Sequence, residues 1–360
     1  MKRLLTLIPF LALGYLTSCF EIDLSNIFDE PEFVEPEGIT WEFELGRALF
    51  YDKTLSADKS VACGSCHKQE FGFSDNVSFS SGVHGRVTNR NSMPIQNLVL
   101  EPFVNFDSST MTFDTISATP LFWDGREEDI FKMVLQPFTN PNEQGLKDLD
   151  ELMSRVKSNE IYNNAFENIF GAETADPEHI SMALTIFISS IFSGSTRFDD
   201  FQFTGQGLTE QEILGKDLFF EKYDCNACHQ VQSTSGYLSV NNGFSNIGLE
   251  TRSEDPGRQN ATDLPEDAGK FKIPSLRNVV QTAPYMHDGR FATLEEVIEH
   301  YSTNIQDNPN LDSLLHDEFG DPLVLNITDE EKTAIVAFLG TLTDENTLND
   351  PQFSDPFDQP

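Results

Sequence analysis

Positive charge is scarce in this chain. Lys and Arg number 23 against 59 Asp and Glu over 360 residues, a formal net charge of −36. Phosphate binding needs clustered cations, so nucleic acid is excluded as a partner. An acidic surface suits solubility and can attract a basic protein or a small cation. Long apolar runs are missing as well. The stretch Leu4 to Gly14 is the most apolar, and it is too short to span a bilayer comfortably. Strand signals are weak and local, around Val99 to Ile116, whereas apolar stripes at helical spacing recur over Glu151 to Phe170, His179 to Phe192 and Asp329 to Leu342. The expected fold is therefore mainly α, with long loops and little β. Cysteine is also sparse, with five residues in all: Cys19, Cys63, Cys66, Cys225 and Cys228.

The N-terminus reads as a processing signal. Lys2 and Arg3 form a positive n-region before the apolar stretch, and Leu16-Thr17-Ser18-Cys19 follows where cleavage should fall. That pattern is similar to a bacterial lipobox, with residues 1–19 removed as far as a lipidated Cys19; an ordinary secretory signal is the alternative. The expectation is an exported chain on the periplasmic face that touches the membrane only through a lipid. Residues 20–38 are acidic and contain proline, as a tether does. Residues 346–360 form an acidic tail.

The body carries a repeat. Leu45-Gly46-Arg47-Ala48-Leu49-Phe50-Tyr51-Asp52-Lys53 returns as Leu214-Gly215-Lys216-Asp217-Leu218-Phe219-Phe220-Glu221-Lys222. Each copy precedes a Cys-x-x-Cys-His. Trp123-Asp124-Gly125-Arg126 follows the first and His287-Asp288-Gly289-Arg290 the second, and helical stretches come next, Glu128 to Leu135 and Leu294 to Tyr301. The shared order of landmarks predicts an internal duplication, with domains at 39–203 and 204–345. Thr209-Glu210-Gln211-Glu212 and Thr328-Asp329-Glu330-Glu331 have the pattern of N-terminal capping boxes. The stretch from about Gln230 to Lys270, rich in Gly, Asn, Ser and Asp, reads as a long functional loop.

Cys63-Gly64-Ser65-Cys66-His67 and Cys225-Asn226-Ala227-Cys228-His229 carry the chemistry. Two thiols three positions apart can reach the two vinyl groups of one porphyrin, and the next histidine then lies under the iron as its proximal ligand. Two such motifs predict two cytochrome c-like domains, each with a covalent haem c, ligated by His67 and His229. Disulfides are open to an exported chain. A zinc site would need four ligands, and no second Cys pair or close His accompanies either motif. The opposite face of each iron decides function, because an iron with two strong ligands transfers electrons and one with an open face can bind peroxide.

Taken together these residues resemble the bacterial di-haem cytochrome c peroxidase family, which includes MauG-type enzymes. The resemblance spans about 40 to 342. It rests also on Arg90-Asn91-Ser92-Met93-Pro94, Phe122-Trp123-Asp124-Gly125-Arg126, Asn140-Pro141-Asn142-Glu143, Phe271-Lys272-Ile273-Pro274-Ser275-Leu276-Arg277-Asn278 and Ala283-Pro284-Tyr285-Met286-His287-Asp288-Gly289. The resemblance implies that peroxide reacts at the N-terminal haem and that the C-terminal haem relays electrons. Glu143 matches the family's active-site acid. A carboxylate beside an open iron can move a proton from the inner to the outer peroxide oxygen. Trp123 matches the tryptophan between the haems, a role compatible with core packing. Asn91, Thr282 and Pro284 match the ligands of an inter-haem calcium ion, whose oxygen donors suit Ca²⁺. Implied partners are hydrogen peroxide and a small electron-donor cytochrome c or copper protein. Family members are often homodimers.

Two positions leave alternatives open. His84 matches a distal histidine that blocks the N-terminal iron at rest in many family members; flanked by Gly82 and Gly85, it fits a solvent-facing loop equally well. Where typical peroxidases place a methionine ligand for the C-terminal haem, this chain has Tyr301, as MauG-like members do, with His300 as a rival. Tyrosinate favours ferric iron, whereas methionine raises the potential. The readings are thus a di-haem peroxidase, a MauG-like oxidase that modifies a partner protein, and a non-catalytic electron-transfer cytochrome.

Overall fold

The computed structural model describes residues 40–98, 120–171, 175–229 and 243–358, and the backbone alone of 104–107 and 112–115. The leader, Cys19 and the tether to residue 38 lie outside the described residues, as does 230–242 of the long loop.

Helices dominate, as the apolar stripes predict. In chain order the ones that build the frame are α1 (Trp41–Tyr51), the single turn α2 (Cys63–Cys66), α3 (Leu149–Lys157), α4 (Glu160–Phe170), α5 (Pro177–Ser190), α6 (Arg197–Thr204), α7 (Glu210–Asp217), α8 (Leu294–Thr303), α9 (Asp329–Gly340) and α10 (Glu345–Asn349). Among the described residues, strand is confined to two antiparallel ladders. The first joins β1 (Val104–Asp107) to β2 (Thr112–Thr115), and the second joins β3 (Phe244–Ser245) to β4 (Phe271–Lys272). The stripe over Glu151 to Phe170 is two helices. Asn159 interrupts it because its side chain accepts from the Ile161 amide and caps α4. The stretch expected over Glu128 to Leu135 forms only one α turn, Ile130–Met133.

Each half rests on one close helix crossing, and glycine makes it possible. A Cβ on Gly46 of α1 would lie 2.0 Å from the Ala183 carbonyl oxygen of α5, and one on Gly215 of α7 would lie 1.9 Å from that of Ala334 on α9. In both crossings a phenylalanine Cβ closes in at 2.9 Å, from Phe187 and Phe338. Any side chain would force these backbones apart. The capping boxes Thr209/Glu212 and Thr328/Glu331 start α7 and α9 where the sequence predicts them.

Two apolar cores result. One gathers α1, α4 and α5 around Phe50, Phe166 and Phe187; the other gathers α6, α8, α9 and the turn that follows α7 around Phe198, Phe219 and Phe338. The change of core falls between Ile191 and Phe198. Beyond α10 the chain returns to the first half. Phe353 is buried in that half's core against Phe43 and Phe187, the Tyr51 hydroxyl donates to the Phe353 carbonyl at 2.7 Å, and Arg47 Nε donates to the Ser354 carbonyl at 2.7 Å. Buried polar contacts also join the halves. Gln96 Nε2 donates to the Arg277 carbonyl at 2.7 Å and Asn278 Nδ2 to Gln96 Oε1 at 2.6 Å.

Candidate functional site

The first thiol pair occupies one helical turn. Cys63 and Cys66 begin and end α2, so their side chains share a face. The turn is fixed by the Ala62 amide, which donates to Ser65 Oγ at 2.9 Å. The Tyr51 ring lies only 2.4 Å from where a Cβ on Gly64 would sit, which explains a glycine between the cysteines. Neither thiol is in a disulfide. Burial pushes Cys63 up to about 12 and Cys66 up to about 11, which disfavours the thiolate of each. His67 follows at the end of the turn. Its Nδ1 lies 2.9 Å from the Phe73 carbonyl oxygen. A carbonyl only accepts, so Nδ1 carries the proton and Nε2 keeps its lone pair for a metal. Burial lowers the His67 pKa and holds the ring neutral.

A cavity of about 730 Å³ opens here, and Cys63, Cys66, His67, Trp123, Glu143 and Lys272 all line it. That is room for a cofactor-sized ligand. Glu143 sits at its edge on the turn after Asn140. Burial raises its pKa, against the nearby Arg126 charge and a 2.7 Å hydrogen bond from Asn140 Nδ2 to Oε1. The residue's backbone is pinned too, since the Val83 amide donates to the Glu143 carbonyl at 2.9 Å. Arg126 stacks over the Phe122 ring at 3.6 Å and pairs with Asp124 at 3.0 Å. The Trp123 indole donates to the Asn91 carbonyl at 2.8 Å, and the Trp123 carbonyl accepts from the Lys272 amide at 2.8 Å. The Asn91 amide in turn donates to the His287 carbonyl at 2.7 Å, so the indole is held between the halves.

The second motif repeats the local chemistry. Cys225 and Cys228 are unpaired, and burial pushes Cys225 up to about 12. His229 Nδ1 lies 3.2 Å from the Pro274 carbonyl oxygen, which again leaves Nε2 free. Tyr301, on α8, lies near both thiols, and burial drives its phenol well above the usual range. Four unpaired thiols and two histidines pinned from behind fit two covalently held porphyrins. Among the described residues no three or more His, Cys, Asp or Glu converge as a metal cluster.

Residues 40–207 match the family model described as "Di-haem cytochrome c peroxidase". The chain is 30% identical over 310 residues to the methylamine utilization protein MauG of Methylorubrum extorquens, covering 84% of this chain and 78% of that protein. This chain belongs to the di-haem cytochrome c peroxidase family. It is also 29% identical over 350 residues to the cytochrome c551 peroxidase of Nitrosomonas europaea, covering 95% of this chain and 92% of the relative. Among solved structures, a MauG-like protein associated with microbial copper homeostasis superposes with a TM-score of 0.72 at 31% identity, over 92% of this chain and 99% of that one. The diheme peroxidase BthA of Burkholderia thailandensis shares the fold at a TM-score of 0.70 and 22% identity, over 88% and 90% of the two chains. Membership implies two haem c groups, and the residues just described fit them.

Other residues matched to the family lie as follows. His84 points outward, with its side chain 59% exposed; its amide donates to Asp58 Oδ2 at 2.7 Å, and it does not line the cavity. His300 is buried with Nε2 2.9 Å from the Ile247 carbonyl oxygen, on a different side of α8 from its neighbour Tyr301. Asn91 and Thr282 are buried, Asn91 Nδ2 donates to the Val77 carbonyl at 3.0 Å, and Pro284 follows a cis peptide bond. Sequence reasoning gave no role to Gln144, whose Nε2 lies 3.6 Å from Cys63 Sγ, or to Arg90, which binds Asp124 and Asp255 at 2.7 Å each. Their adjacency to Glu143 and Asn91 in the quoted motifs was the available signal.

Proposed function

We propose that this chain is a di-haem peroxidase. It reduces hydrogen peroxide with two electrons and two protons to two waters, the electrons coming from a small redox protein. Haem, when bound, supplies an iron that accepts peroxide at one site and exchanges single electrons at the other. Cys63, Cys66 and His67 would hold the first group, and Cys225, Cys228 and His229 the second. The observation that carries the reading is the enclosure of Glu143 and Trp123 in one cavity with the His67 motif. Glu143 is the proton carrier. Its raised pKa helps it hold a proton to donate, and the Asn140 hydrogen bond keeps Oε1 oriented while Oε2 stays available. Trp123 is an oriented indole on the way to the second half.

Glu143→Gln in the holoenzyme tests this. Peroxide-dependent oxidation of reduced cytochrome c should fall by about 10²–10⁴-fold with both haems still attached. Retained full activity would remove Glu143 from the reaction and the reading with it.

One observation favours a second reading, a MauG-like oxidase acting on a partner protein: Tyr301 beside the second thiol pair, where a peroxidase relay would carry methionine. Tyr301→Met should raise the C-terminal haem potential by on the order of 0.1 V, within the roughly 0.8 V that axial ligands command. An unchanged potential would leave His300 or no side chain as the distal ligand.

The same proposal takes the two halves, 39–203 and 204–345, as products of a duplication, which the matched glycine crossings support. It includes export with a lipid on Cys19, and a calcium ion between the haems at Asn91, Thr282 and Pro284. Asn91 Oδ1 accepts no hydrogen bond among the described residues, which suits a metal donor.

A further inference from the structure

Lys272 is a buried charge that the proposed reaction does not use. It lies on β4 in the second half, is 6% exposed, and lines the cavity around His67 in the first. Its backbone is fully occupied: its amide donates to the Trp123 carbonyl at 2.8 Å, and the residue pairs with Phe244 across the ladder. Its ammonium has neither ion pair nor hydrogen bond among the described residues. Burial is the one influence acting on it, pulling its pKa down to about 8.

The other cations on the same wall are all matched. Arg90 takes Asp124 and Asp255, and Arg126 also takes Asp124. The carboxylates within reach are therefore committed. Glu143 feels Arg126 and Asn140, not Lys272. A desolvated ammonium without a counter-charge is costly, so a buried lysine implies an anion that completes its surroundings. The cavity is built for a porphyrin, and a porphyrin of this class carries propionate carboxylates on the edge away from its thioether bonds.

We infer that Lys272 is the counter-charge for a propionate of the haem held by Cys63, Cys66 and His67. The second half thereby contributes a direct polar contact to the cofactor of the first. This rests on the haem reading of that cavity. One residue then ties three things together. Its side chain reaches the porphyrin edge, its amide holds the Trp123 backbone, and its strand belongs to the half that carries the other haem. A cation at that edge disfavours the ferric state, whose net charge is one unit more positive, and so sets the potential of the N-terminal haem.

The test uses holoprotein matured in a competent periplasm. Mass spectrometry of the Cys63–Cys66 peptide reads the porphyrin separately; its absence from the wild-type protein would sink the haem reading itself. With porphyrin present, spectroelectrochemical titration compares Lys272→Met and Lys272→Arg. Lys272→Met should shift the N-terminal ferric/ferrous equilibrium about tenfold toward ferric, a fall of 59 mV for one electron. Lys272→Arg should return it to within about twofold of wild type. A Lys272→Met shift below about twofold, or one that arginine does not rescue, overturns the inference. Should Lys272→Met fail to load porphyrin at Cys63 and Cys66, Lys272→Arg decides. Normal loading at the wild-type potential supports the counter-charge, and failure of both variants to load overturns it in favour of a purely structural lysine.

Discussion

The two halves hold their Cys-x-x-Cys-His turns on the same kind of frame but furnish the surrounding space differently. In each, a glycine lets one helix lie directly on the backbone of another, at Gly46 on Ala183 and at Gly215 on Ala334. In each, the histidine is pinned from behind by a backbone carbonyl, Phe73 or Pro274. Around His67 there is then a roomy cavity whose lining includes a half-buried acid, Glu143, and the cations Arg90, Arg126 and Lys272. Around His229 a tyrosine, Tyr301, lies near the thiols. The side chains that differ are Glu143, in the lining of the first cavity, and Tyr301, near the second thiol pair.

That contrast can be broken by unsettling one half and leaving the other. The largest effect is expected at Asp199, on α6, which binds the fully buried Arg277 through both guanidinium nitrogens at 2.7 and 2.6 Å. Asp199→Asn leaves a buried guanidinium unmatched and should cost about 3–5 kcal/mol. Hydrogen exchange should rise in α6, α7 and α9 before it rises in α1 and α5; a uniform rise would mean that the halves unfold as one unit. The wild type also makes a pH prediction. Burial pushes Asp199 up, but the Arg277 and Thr196 hydrogen bonds outweigh it and its pKa is lowered on balance. A depressed folded pKa gives stability that is complete above the unfolded value of about 3.9 and is lost as pH falls toward the folded value. Asp199→Asn should flatten that acid limb.

The first half has a weakness of its own, supplied from the far end of the chain. Phe353 closes the core of α1 and α5, so Phe353→Ala should cost about 3 kcal/mol, at the low end for a buried aromatic. Its exchange signature should be the mirror image, with α1 and α5 loosening first. Equal loosening of both halves would show that the tail only bridges them.

The sequence displayed the local parts of this plan. Capping boxes, apolar stripes and the spacing of Cys63, Cys66 and His67 all act within a few residues, and each left a signal at its own period. The grouping of Glu143 and Trp123 with the first motif was legible only through resemblance, because nothing in their own surroundings marks one carboxylate among 59 acidic residues. The return of Phe353 to α1 and the burial of Lys272 opposite Trp123 left no trace. Both join positions far apart in the chain, and a contact of that range has no periodicity to read. The tail's acidic composition even pointed toward solvent, because one buried phenylalanine weighs little in an average taken over Asp and Gln.

The smallest expected effect concerns His84, and it sharpens the contrast at the first site. The residue sits in a left-handed turn at φ +58°, its ring 3.4 Å from Asp58 and largely in solvent. The turn is not free to swing by itself. The Val83 amide holds the Glu143 carbonyl at 2.9 Å, and a Cβ on Gly82 would lie 2.0 Å from the Asn142 carbonyl oxygen. Any movement that carried His84 into the cavity would pull on the loop that presents the acid. His84→Ala should therefore leave the resting absorption and EPR spectra unchanged and move stability by no more than about 0.5 kcal/mol. Conversion of a low-spin resting signal to a high-spin one in that variant would instead make His84 an iron ligand at rest. Activation of the N-terminal haem and placement of Glu143 would then be a single motion, because the same two loops carry both.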